Sequence, residues 1–148
     1  MTILVRPALQ GDAVCAGQIL DQFIQDTIWM PKLHKLAETI EYCETMIRRN
    51  WVSVVTVGQE VQGFLAKNNG YVHALFVSEK MRGLGLGHRL LRGAQMEEHA
   101  LDLWTYQANT AAQRFYLREG FSETERSDGA GNDEKLPDIR FQWKRRQI

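Results

Sequence analysis

Residues 81–91 read MRGLGLGHRLL. Gly83, Gly85 and Gly87 alternate with other residues just as a helical pattern begins, Leu86, Leu90, Leu91 and Ala94. A glycine inside a helix costs about 1 kcal/mol relative to alanine, so three at one junction call for a compensating use. Upstream, Tyr71–Val77 (YVHALFV) has the β-branched and aromatic character of a strand. A strand, a Gly-rich turn and a helix in that order form an anion cradle. The first helical turn leaves N–H groups unpaired, the helix dipole adds partial positive charge, and glycine lets a ligand approach the backbone. Arg82 supplies a charged donor beside it. The segment reads as a pyrophosphate site, and any fold of this chain must leave that helix N-terminus open.

Two common nucleotide motifs do not fit. A dinucleotide fingerprint G-x-G-x-x-G counted from Gly83 puts His88 at its third glycine, and the chain lacks the repeated βαβ pattern. A P-loop needs G-K-[ST], where this chain has Gly87-His88-Arg89. What remains is R-x-x-G-x-G, Arg82 to Gly87.

Around this junction, Thr2–Arg6 reads as a strand stopped by Pro7, and Asp12 as the cap of a helix from Ala13. Ile19, Leu20, Phe23, Ile24 and Ile28 follow at helical spacing, and a second helix carries Ile40, Cys43 and Ile47 on one stripe. Trp51–Val57, Val61–Ala66 and Tyr71–Val77 are three strands joined by Gly58-Gln59-Glu60 and Asn68-Asn69-Gly70, an antiparallel meander. After the glycine junction and its helix, Leu101–Tyr106 is a strand that the crossover allows to lie parallel to Tyr71–Val77. Thr110–Glu119 is a helix closed by Gly120, and a strand pair flanks the loop DGAGNDEKLPD. No repeat or linker divides the chain, so one α+β domain over residues 1–148 is expected.

Composition limits the function. Eighteen basic and eighteen acidic residues cancel, which argues against a dedicated nucleic-acid binder. The basic cluster Lys144-Arg145-Arg146 reads as a solvated chain end. Cys15 and Cys43 form no metal-ligand spacing and no disulfide framework, so no metal is expected. No apolar run approaches a membrane span and no signal-peptide pattern opens the chain, so cytoplasmic residence and no membrane partner are expected.

The Arg82–Gly87 pattern resembles the acetyl-coenzyme A motif of the GNAT N-acetyltransferase superfamily. Leu75-Phe76-Val77 resembles that family's aliphatic-aromatic-Val strand end. Asn109–Phe121, NTAAQRFYLREGF, resembles its later segment of Asn, small residues, Tyr and Gly-Phe. The order of elements matches over nearly the whole chain. The resemblance implies a GNAT-like mixed, mostly antiparallel sheet with helices on both faces, its strand order following the chain with a parallel pair at the centre. It implies acetyl-CoA as co-substrate, bound by Leu75, Phe76, Val77, Arg82, Gly83, Leu84, Gly85, Leu86, Gly87, His88, Asn109, Ala112 and Tyr116. It also implies direct attack of an acceptor amine on the thioester, with the Val77 N–H as oxyanion donor and Tyr116 as proton donor to the thiolate.

An amine of pKa about 10.4 is roughly 0.1% neutral at pH 7.4, a penalty of about 4 kcal/mol, so a base must take its proton. His73 has a suitable intrinsic pKa, and a satisfied sheet histidine is the competing reading. Asn109 and Tyr116, seven positions apart, lie on nearly one helix face if Asn109 stands at the entrance, and Phe115 would then turn to the core. Trp29, His34, His73, Glu134 and Asp138 are the expected acceptor-side residues, from the segment between the first two helices, the strand before the motif and the acidic loop. The acceptor is expected to be a small-molecule or peptide amine. Exposed edge strands at the C-terminal end suggest a homodimer. An acyl-CoA-binding sensor without turnover, and a nucleotide-binding protein, remain alternatives at this point.

Overall fold

The computed structural model describes residues 1–146. Its elements in chain order are β1 (Ile3–Pro7), α1 (Ala13–Asp26), α2 (Leu36–Arg48), β2 (Val52–Val57), β3 (Glu60–Asn68), β4 (Tyr71–Val77), α3 (Leu86–Glu97), β5 (Ala100–Tyr106), α4 (Thr110–Arg118), β6 (Ser122–Ser127) and β7 (Asp138–Lys144). Short 3-10 turns occupy Gln10–Asp12 and Glu79–Met81. All seven strands form one sheet in the order β1-β2-β3-β4-β5-β7-β6, and only β4 and β5 run parallel.

The strand order follows the chain as far as β5 and then reverses. Burial gives the reason. Ile139 and Phe141 of β7 are fully buried, whereas β6 is SETERS and almost wholly exposed. The apolar strand takes the interior place and the charged one becomes the edge, a common way to blunt an edge against pairing.

Two cores lie on opposite faces. Leu86, Leu90, Leu91 and Ala94 of α3 pack with Tyr116 of α4 over Val55, Leu65, Leu103 and Phe141. Ala13 and Ala16 of α1 pack with Cys43, Met46 and Ile47 of α2 over Val54, Phe64 and Ala74. At the α1–α2 contact stands Gly17, where a Cβ would come within 2.5 Å of the Ile40 side chain. The helices approach that closely because residue 17 has no side chain.

Several local expectations change. Asp12 makes no side-chain cap to α1. Its carboxylate accepts from Arg6 Nη1 at 2.8 Å and from the Leu9 N–H at 2.7 Å, so the 3-10 turn rather than the carboxylate leads into the helix. Arg6 in turn holds the Asp12 carboxyl below its ordinary range. Ile28 is off the buried stripe, 99% exposed, because α1 ends at Asp26. Arg145 is not merely a solvated chain end. Its Nη2 donates to the carbonyls of Gln95 and Met96 at 2.9 Å and of Glu98 at 3.1 Å, capping the C-terminus of α3.

Two bulges interrupt the meander. Val55 pairs with Gly63 and Thr56 with Val61, so Gln62 is an extra residue in β3. Ala66 pairs with Ala74 and Lys67 with Val72, so His73 is an extra residue in β4. The second bulge shifts the alternation of β4. Val72, Leu75 and Val77 face the α3 side and Ala74 and Phe76 the α1–α2 side.

Candidate active site

The parallel pair is joined at one place. Tyr71 opposes Asp102, and the Asp102 N–H donates to the Gly70 carbonyl at 2.9 Å. Beyond that point β4 and β5 diverge, while β4 stays paired with β3 as far as Gly63 opposite Val77. The Ser78 N–H bonds the Gln62 carbonyl at 2.8 Å on the β3 side. Backbone groups alternate sides along a strand, so the Leu75 and Val77 N–H groups face away from β3, into the opening. The Gln62 bulge secures this strand end, since Gln62 is buried and its Oε1 accepts from Ser78 Oγ at 2.6 Å.

At the same end of the sheet, α3 begins. Gly85 holds the position before it at φ 76°, left-handed, with nothing within 4 Å of where a Cβ would stand. The first helical hydrogen bond runs from the Arg89 N–H to the Gly85 carbonyl at 3.0 Å, which leaves the N–H groups of the preceding turn free. Gly87 has a different reason to lack a side chain: a Cβ would lie 3.3 Å from Phe115 Cζ, where α3 crosses α4. Arg82 and Leu84 are exposed, whereas the Leu86 side chain is buried in the core and offers a ligand only its backbone. The His88 side chain turns to Glu119, Nδ1 to Oε1 at 2.6 Å, so at the anion cradle His88 too offers its N–H.

A cleft of about 930 Å³ occupies the divergence and extends to the α1–α2 side. Leu75, Phe76, Asn109, Ala112 and Tyr116 border its inner end, while the 82–88 loop lies outside it. Asn109 caps α4, its Oδ1 accepting from the Ala112 N–H at 3.1 Å. Tyr116 is the buried residue of α4, 8% exposed and packed on Phe121 and Phe141, whereas Phe115 is only half buried. The expected depths of these two neighbours are thus exchanged, because Phe115 fills the space below Gly87. No fully buried side-chain polar atom lacks a partner among the described residues, and the Tyr116 hydroxyl makes no hydrogen bond there. It therefore reaches solvent through the cleft that Tyr116 borders. Burial raises the pKa of this phenol, keeping it protonated.

His73 also borders the cleft. It is not a satisfied sheet histidine: the bulge leaves it outside the pairing register, exposed, stacked on Trp51 at 4.7 Å and edge-on to Tyr71 at 4.8 Å. Burial, then the Arg49 charge, lowers its pKa. His34 borders the cleft and stands 4.0 Å from Glu38. Trp29 does not reach the cleft surface. It packs edge-on to Tyr106 at 5.7 Å and supports that wall from behind. Glu134 and Asp138 both border the cleft. Asp138 is buried and committed to the loop, bonded to Ser127 Oγ and accepting from Asn132 Nδ2 at 3.2 Å. Glu134 lies beside Tyr106, whose pKa is raised by burial and by that carboxylate. Tyr42 and Tyr106 are walls that the sequence does not announce: Tyr42 sits one position off the buried stripe of α2, and Tyr106 at a strand end, with no local signal.

Residues 20–133 match the model of the Acetyltransferase (GNAT) domain. The chain belongs to the GNAT acetyltransferase family. Acetyl-CoA is the co-substrate of that family. An uncharacterized N-acetyltransferase of Archaeoglobus fulgidus is 30% identical over 96 residues, 62% of this chain and 56% of the relative. The peptidyl-lysine N-acetyltransferase YjaB of Salmonella typhimurium is 33% identical over 78 residues, 53% of each chain. The matched region thus spans little more than half the length of these curated relatives. Among solved structures, apo-form YjaB from Escherichia coli has a TM-score of 0.81 at 20% identity, covering 97% of this chain and 98% of that one. The Salmonella typhimurium protein yncA, solved with its cofactor acetyl-CoA, has a TM-score of 0.75 at 19% identity over 100% of this chain and 96% of that one. These solved structures share the fold of this chain. No helix is long and apolar enough to cross a membrane among the described residues.

Proposed function

We propose that this chain, as one acetyltransferase domain, moves the acetyl group of acetyl-CoA to a primary amine by direct attack in a ternary complex. The observation that carries this reading is the divergence of β4 from β5 beyond Tyr71–Asp102, opening next to the free N-terminus of α3. The residues fit the donor. The N–H groups around Gly85–His88 and the Arg82 guanidinium would hold its diphosphate, with open space at Gly83 and Gly85 for the close approach. The backbone of Leu75–Val77 would pair with its arm in place of a neighbouring strand. Bound acetyl-CoA supplies an activated thioester carbonyl.

The chain's own groups then have separate tasks. The Val77 N–H donates to the carbonyl oxygen as negative charge develops on it. His73, neutral at pH 7, takes the acceptor's proton directly or through a water. Tyr116 stays protonated at neutral pH and gives a hydrogen to the departing sulfur. Asn109 orders the start of α4 and so the position of Tyr116. A lysine-type amine is the natural first acceptor to test, given the name of the curated YjaB relative. Free thiols at Cys15 and Cys43 agree with a reducing, cytoplasmic setting.

Thiol release from acetyl-CoA across a panel of alkyl, lysine-type and peptide amines tests the proposal. Amine-dependent release with an N-acetylated product supports it. Tight acetyl-CoA binding without release for any amine would instead favour a sensor, and competition by NAD or ATP at equal affinity would remove the coenzyme A reading.

A further inference from the structure

The chain is neutral overall, yet its cleft is not. Glu38, Asp128, Asp133, Glu134 and Asp138 border it, and no lysine or arginine does. Three of these carboxylates already have protein partners. Asp138 is bonded to Ser127 and Asn132, Asp128 Oδ1 accepts from the Ala130 N–H at 3.0 Å, and Glu38 accepts from the Lys35 N–H at 2.9 Å. Glu134 makes no ion pair with any described residue, although it is half buried. The nearest cation in its loop is turned away, since Lys135 Nζ donates to the Ala130 carbonyl at 2.8 Å. The cleft wall is aromatic there: Tyr42 and Tyr106 border it with Glu134, and the Tyr106 hydroxyl lies against the Glu134 carboxylate.

A half-buried carboxylate without a cationic partner can hold a ligand cation by ion pairing and charge-assisted hydrogen bonding. A second group borders the same cleft. The Tyr116 hydroxyl, on a residue 8% exposed that borders the cleft, has no hydrogen-bond partner among the described residues. An acceptor in this cleft would present an uncharged nitrogen toward Tyr116 while keeping a charge at Glu134.

Resting on the acetyltransferase reading, we infer that the acceptor is at least a dication, whose second cationic centre is held by Glu134 in the aromatic-walled cleft while its first amine reacts. A free diamine or polyamine and a lysine with a basic neighbour in a peptide share this chemistry. A polycation also gains from the unpaired charge of Asp133, which attracts it without requiring a fixed geometry.

The test compares 1,4-diaminobutane with butylamine, equal in carbon chain and differing in the second amine. Binding of each is measured calorimetrically with and without coenzyme A, and kcat/KM for each with acetyl-CoA. A peptide Lys-Lys pair against Lys-Ala separates the peptide source from the free diamine. We expect the diamine or the Lys-Lys peptide to be favoured at least tenfold, beyond the twofold statistical factor of two amines. Glu134→Gln should collapse that ratio toward two. Glu134→Gln keeps an acceptor oxygen for its neighbour Tyr106, and Tyr42→Leu, which removes one aromatic wall of the cleft, should narrow the ratio as an independent variant. Equal binding of monoamine and diamine, no binding of either, or a ratio untouched by both substitutions would overturn the inference. Failure of acetyl-CoA itself to bind would strike the transferase reading instead, because the donor-free binding comparison still decides the cation site.

Discussion

Where the end of β4 meets α3, beside the cleft, what the protein offers a ligand is backbone: the N–H groups of Leu75 and Val77 on an unpaired strand side and those of the first turn of α3. At the Glu134 end it offers side chains from α2, β5 and the loop before β7, gathered from positions far apart in the chain. Backbone recognition suits a ligand that never changes, because any residue supplies an N–H and only the exceptions, glycine and the bulge, must be specified. Side-chain recognition suits a ligand that differs between relatives, because each wall can be replaced without disturbing the sheet.

The difference can be broken from either side. The largest effect is expected for Gly87→Leu, which drives a side chain into Phe115, 3.3 Å from where its Cβ would stand. Overpacking of this kind costs about 1–3 kcal/mol. Since it also displaces the start of α3, acetyl-CoA affinity by calorimetry should fall about 100-fold or more. Glu134→Gln should leave the same affinity within about twofold, because Glu134 borders the cleft while the 82–88 loop lies outside it and salt screens what charge effect remains.

Tyr116→Phe comes next. Turnover should fall by an order of magnitude or more, within the range of a lost general acid, while acetyl-CoA affinity holds. Steady-state kinetics beside calorimetry reads both, and unchanged turnover would remove Tyr116 from the chemistry.

Gly70→Ala probes the point from which both ends diverge. Gly70 has φ 80°, and an added Cβ would stand 2.9 Å from the Ala100 carbonyl oxygen. We expect about 1–2 kcal/mol of lost stability from the backbone alone, read as a lower Tm. Full wild-type Tm would mean that the junction tolerates a shift.

The smallest effect is a pH dependence. His73 has its pKa lowered from 6.5, so it remains neutral, and able to accept a proton, into mildly acid solution. The acid limb of kcat/KM should have its midpoint below 6.5 and disappear in His73→Gln. The unfolded chain binds this proton more readily than the folded one. Stability therefore rises with pH between the folded value and 6.5 and is complete above it. A limb centred above 6.5 would assign the base elsewhere.

The same contrast explains what is legible in the sequence. Glycine spacing, turn dipeptides and β-branched runs report on backbone geometry, and they point to the meander, the α3 junction and the parallel crossover. The reversal of β6 and β7 is written in the contrast between SETERS and IRFQW, but an order-following topology is the simpler expectation. Bulges at Gln62 and His73 leave no local mark, since an extra residue shows only against its partner strand. The cleft walls Tyr42 and Tyr106 are brought together by tertiary packing alone, as is the close contact of Gly17 with Ile40. Asp138 looks like a free carboxylate in the sequence because its partners Ser127 and Asn132 meet it only when the loop folds back.

The most direct measurement is an amide NMR titration of the protein with acetyl-CoA. Saturable shifts of the Leu75 and Val77 amides together with those of Leu86, Gly87 and His88 are expected, with the Glu134 loop unmoved until an amine is added. Shifts confined to other surfaces, or none at saturating acetyl-CoA, would contradict a donor site built from the backbone of β4 and α3.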